Sequence, residues 1–198
     1  EGLDLEWVRA ELDLAGWNIA EARERYERIL EEDPAAAAYG RLSLCCELEG
    51  DLERADQLLA KAHALEPEEW PRVERLSEAE FERVLDRAVA RLPEDFRAAL
   101  DDVQILVERV PGRELIDPSD PAATPPDLLG LFVGTALTER SNEDSLAVPP
   151  TVHLFQRNLE RAVLDREALL EEIEKTLYHE LGHALGFDED GVADMGLE

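Results

Sequence analysis

The stretch "YHELGHALGFDED", residues 178–190, decides how this chain is read. His179 and His183 are four positions apart. On a helix both imidazoles therefore leave the same face, with about 5–6 Å between their β-carbons, and can converge on one metal ion. Glu180 follows His179 directly and would lie beside such an ion without having to ligate it. In zinc hydrolases of this spacing the metal lowers the pKa of a water to about 7 and the glutamate takes its proton. One spacing thus gives a role to three residues, and with four histidines in the whole chain it rarely arises from composition alone. The competing reading is a helix whose histidines are hydrogen-bonded core residues.

The flanks support a helix. Leu177, Leu181, Ala184 and Leu185 recur at helical spacing around the motif. Asp165 as N-cap and Gly186 as stop predict a helix over 166–185. Upstream, Ser77 with Glu80 three residues on forms a capping box, followed by Phe81, Val84, Leu85 and Ala88 at helical spacing. "LPEDFRAALDD" (92–102) reads as a second, short helix. "VQILVERV" (103–110), "LLGLFVGTAL" (128–137) and "TVHLF" (151–155) read as strands, the middle one broken by Gly130 and Gly134. That glycine-bearing strand could present backbone groups to an extended peptide, or its glycines could be ordinary turn residues. Residues 111–127 form a proline-rich loop. His153 in "TVHLF" could face a cleft, although a lone strand histidine is more often packed or solvated.

The first third is organised differently. "GWNIAEARERYERILEEDP" (16–34) puts Ala22, Tyr26 and Ile29 on one helical face, and "GDLERADQLLAKAHALEP" (50–67) does the same with Ala55, Leu59 and Ala62. Ala22 and Ala55, and Pro34 and Pro67, are each 33 residues apart. With Leu3–Leu14 and Ala35–Leu48 as the first helices of each pair, residues 1–70 resemble two tetratricopeptide repeats. That resemblance implies a protein partner bound through the helical repeats. A boundary is expected within "EPEEWPRVERLSEAEF" (66–81), and a second domain over 77–198.

From Ser77 onward the order of elements, ending in the histidine helix, resembles the bacterial zincin-like metallopeptidases, a minimal matrix-metalloprotease-like domain. The resemblance implies an α+β fold, with helical hairpins followed by a short mixed sheet packed on helices. It also implies Zn2+ as cofactor, a peptide or protein substrate, His179 and His183 as metal ligands and Glu180 as the catalytic acid/base. Zincins with a glycine three residues after the second histidine turn the chain there and bring the residue three further on back to the metal. Here that residue is Glu189, where the family usually has aspartate, and Asp190 and Asp188 are alternatives. Met195 is expected to pack a terminal helix. The rival function is a non-catalytic adaptor with a structural metal.

Charge narrows the partners. The 48 acidic against 20 basic residues give a net charge of -28, which repels phosphate backbones and anionic lipid and so argues against nucleic acid and membrane. No apolar run reaches bilayer length and no signal-peptide pattern opens the chain, so a cytoplasmic location is expected. The adjacent Cys45 and Cys46 suit neither a disulfide with each other nor a zinc knuckle, and read as small buried helix residues.

Overall fold

The computed structural model of the chain describes residues 2–139, 149–188 and 191. Four helices come first: α1 (Gly2–Ala15), α2 (Ile19–Glu32), α3 (Ala36–Leu48) and α4 (Leu52–Leu65). The 33-residue offset is retained in their ends, since Ile19 and Leu52 begin, and Glu32 and Leu65 end, helices of 14 residues. The turns before α2 and α4 match as well. Gly50 takes φ +86°, and at the equivalent place Trp17 takes φ +58°, a conformation that costs a residue with a side chain about 1–2 kcal/mol. Trp17 is held there by core packing and by its indole, which donates to Thr124 O at 2.7 Å. Ala22, Tyr26 and Ile29 join it in one buried cluster with Ala55 of α4.

The chain divides into two compact units, Glu1–Val73 with Val110–Leu128, and Glu74–Arg109 with Leu129–Glu198. The proline-rich stretch between the first two strands thus groups with the helices rather than with the strands it connects. Besides the Trp17 bond, Arg113 donates to Trp17 O at 2.7 Å and Arg41 to Asp127 at 3.1 Å.

The second unit contains α5 (Glu78–Arg91), α6 (Glu94–Ala99), β1 (Gln104–Glu108), β2 (Gly130–Val133), β3 (Thr151–Phe155), α7 (Gln156–Ala162) and α8 (Arg166–Ala184). Its sheet runs β1-β3-β2, with β1 parallel and β2 antiparallel to β3. The architecture is α+β, as the sequence predicts. β2 is shorter than expected. It stops at Gly134, whose φ of +141° and close approach to Pro150 suit only glycine.

Both ends of α8 follow from local chemistry. Asp165 Oδ1 accepts from the N–H groups of Glu167 and Ala168 at 2.9 Å. At the other end Gly186 takes φ +92°, its N–H bonds to His183 O and the Phe187 N–H bonds to Gly182 O, both at 3.0 Å. That pair of bonds is the Schellman turn. Between them Leu169, Leu170, Ile173, Leu177, Leu181 and Ala184 are at most 3% exposed and share a core with Phe81 and Val84 of α5 and Val152 and Leu154 of β3. Each fully buried leucine of this kind contributes about 1.5–3 kcal/mol, so the helix carrying the motif is anchored by the apolar core of the unit.

The capping box at α5 is present. Ser77 Oγ and Ser77 N donate to Glu80 Oε2 at 2.7 and 3.0 Å, and Arg166 donates to Glu80 Oε1 at 3.3 Å. The Ser77 bonds, then Arg166, hold the Glu80 carboxyl down to about 2 from its usual 4.5. A carboxyl depressed on folding adds stability that is present above the unfolded value and is lost as pH falls through the folded one. Between pH 4.5 and 2 the melting temperature is therefore expected to fall more steeply for the wild type than for Glu80→Gln. Parallel melting curves over that window would show the capping carboxylate to be silent.

Candidate metal centre

His179, Glu180 and His183 lie on the last two turns of α8. The Nε2 atoms of the two histidines are 3.1 Å apart, with ring planes at 82° and centroids 4.8 Å apart. Two nitrogens each 2.0–2.1 Å from a tetrahedral zinc would be about 3.3 Å apart, so the pair fits one ion. His183 Nδ1 lies 3.1 Å from Phe187 O. A carbonyl only accepts, so Nδ1 carries the proton and Nε2 is the ring's acceptor nitrogen, the tautomer a metal ligand needs. The Schellman turn at Gly186 is what returns Phe187 O to this position.

Glu180 lies beside them but faces the sheet. It is 8% exposed, and its Oε2 accepts from the backbone N–H of Phe132 on β2 at 2.7 Å. Gly130 makes this approach possible. A Cβ there would stand 2.5 Å from Thr176 Cγ2 and 3.3 Å from Glu180 Cγ, so strand and helix meet closely only with glycine at that point. Gly130 lies within β2 rather than in a turn, and what approaches it closely is α8.

Of the three acids considered for a third ligand, Glu189 and Asp190 lie outside the described residues, as does Met195. Asp188 is exposed and its Oδ1 accepts from Gly191 N at 2.9 Å. Among the described residues no group of three His, Cys, Asp or Glu is gathered to hold a metal.

The other histidines are engaged elsewhere. His153 is 9% exposed and its Nδ1 lies 2.6 Å from Glu108 Oε2 on β1. It pairs with Leu131, whereas Gly130 and Phe132 pair with Leu154 and Val152, so alternation puts His153 on the sheet face away from α8. His63 bonds Trp70 O at 2.9 Å. Arg157 is 8% exposed. Cys45 and Cys46 are buried and burial pushes their thiols up to about 12 and about 11, which leaves them protonated and inert at neutral pH. Sequence reasoning did not find the Phe132 N–H, because a backbone donor leaves no mark on residue type.

Among the described residues no helix is long and apolar enough to cross a membrane. No curated protein matches the chain. Residues 100–197, which carry the sheet, α7 and the histidine helix, match the family model of zincin-like metallopeptidases, so the part of the chain that brings His179, Glu180 and His183 together is similar to that family.

Proposed function

We propose that the chain is a zinc-dependent peptidase. The observation that carries this reading is the 3.1 Å approach of the His179 and His183 Nε2 atoms, with Glu180 on the same two turns. His179 and His183 would hold the ion together with an acid from the turn beyond Gly186, Glu189 first and Asp190 or Asp188 otherwise. Bound zinc would polarise the scissile carbonyl and acidify a water to a pKa of about 7. Glu180 would act as general base, receiving the proton of the attacking water on its carboxylate and passing it to the departing amine. The substrate would be a peptide or protein.

Residues 1–70 would form a tetratricopeptide-like arm that binds or positions a client, with 77–198 as the catalytic domain. The equal lengths and the 33-residue offset of α2 and α4 support repeats. The net charge of -28 supports partners other than nucleic acid or membrane, and the setting would be cytoplasmic.

The test is zinc content by plasma mass spectrometry on the purified full chain, run beside hydrolysis of a mixed peptide library before and after chelation. About one zinc per chain, as one closed site requires, with cleavage that disappears on chelation and returns with zinc, is the expected outcome. Stoichiometric zinc without cleavage would favour the adaptor with a structural metal. Metal-free protein would remove both.

A further inference from the structure

We propose that Gly130 and the N–H of Phe132 form a positioning device for Glu180, in which the outer edge of β2 holds the carboxylate. This rests on the reading of Glu180 as general base and adds residues to that site.

The argument begins with register. β2 pairs with β3 only, at one end of the sheet order, so its far side is an edge among the described strands. The Phe155 N–H donates to Leu129 O at 2.9 Å. Because hydrogen-bonded and non-bonded pairs alternate in an antiparallel ladder, Leu131 with His153 and Val133 with Thr151 are bonded pairs. Phe132 with Val152 is a non-bonded pair. The Phe132 N–H therefore points away from β3, out of the sheet, and it is this outward group that Glu180 Oε2 receives at 2.7 Å. A 2.7 Å bond on a group 8% exposed to solvent fixes the carboxyl group's orientation. Gly130 sits on the same β2 face two residues earlier, and its missing side chain lets Thr176 and Glu180 reach the strand.

A carboxylate that merely blunts a strand edge would make a different prediction from one held in place for proton transfer. Amide hydrogen exchange at Phe132 reads the bond, and kcat and KM read its use. In the zinc-loaded wild type the Phe132 amide should exchange slowly for an edge position, and about tenfold or more faster in Glu180→Ala, which removes a bond to a charged acceptor. Gly130→Ala should speed exchange similarly and lower kcat about tenfold to a hundredfold with KM within about twofold. Adding Thr176→Ser, which deletes the methyl 2.5 Å from a new Cβ, should restore part of each, since the contacts at 3.1 Å to His153 O and 3.3 Å to Glu180 Cγ remain. Phe132→Pro is the second variant, because it removes the donor while breaking no ladder bond.

Loss of slow exchange in Gly130→Ala with kcat unchanged would overturn the positioning role, as would slow exchange that survives Glu180→Ala. If exchange behaves as described but the wild type cleaves nothing, Glu180 is anchored as stated and the peptidase reading is what fails.

Discussion

Glu180→Gln is expected to hold zinc as the wild type does while cleaving peptides about 10²–10⁴-fold more slowly, the range that a positioned general base supplies. Glutamine keeps the length and shape of the side chain, and its amide oxygen can still accept from the Phe132 N–H that Glu180 Oε2 meets at 2.7 Å. What it cannot do is take a proton at neutral pH. The substitution therefore separates proton transfer from architecture, which a truncation to alanine would not. Zinc content and kcat on the same preparation decide it. A fall in turnover of less than about tenfold would mean that another group accepts the proton. Zinc lost together with turnover would make Glu180 part of the metal's own support.

Features whose cause is local could be read from the chain, and those whose cause is distant could not. Asp165 and Gly186 bracket α8 because an N-cap oxygen and a left-handed turn act within a few residues, and both stand where their chemistry requires. The same holds for the spacing of His179 and His183, which helix geometry converts directly into a 3.1 Å approach. Glu180 is legible as a glutamate after a histidine, but its partner Phe132 is 48 positions away and donates through its backbone. Trp17 is similar. It occupies the place where Gly50 stands in the next hairpin, and the carbonyl its indole meets, at Thr124, is 107 positions off. Arg157 reads as a solvated helix residue until β3 and α7 are folded, when its N–H bonds Arg109 O and its side chain is buried. The proline-rich run at 111–127 is plain in composition, yet composition does not say which unit it lies against.

His183→Ala is expected to cost at least a hundredfold in zinc affinity, since changes one layer further out from a metal already cost about 10–100-fold. The residue has two bonds to lose. Its Nε2 faces His179, and its Nδ1 donates to Phe187 O in the turn that ends α8. Metal-free melting reads the ring's hydrogen bonds without the ion: each is worth about 0.5–1.5 kcal/mol, so the apo proteins should differ far less than the zinc-loaded ones. The loss at Nε2 appears when zinc is added. At a free concentration 1,000 times the wild-type Kd, binding to the folded state adds about 4 kcal/mol, and a hundredfold weaker variant gains only about 1.4 kcal/mol from the same solution. At about 2–4 °C per kcal/mol for a chain of this size, the zinc-dependent rise in melting temperature should shrink from roughly 8–16 °C to roughly 3–6 °C. His179→Ala should behave alike with zinc while leaving the Phe187 bond in place. An undiminished zinc shift in either variant would mean that the two imidazoles do not share an ion, and the 3.1 Å approach would then be a hydrogen bond between a donating and an accepting ring nitrogen.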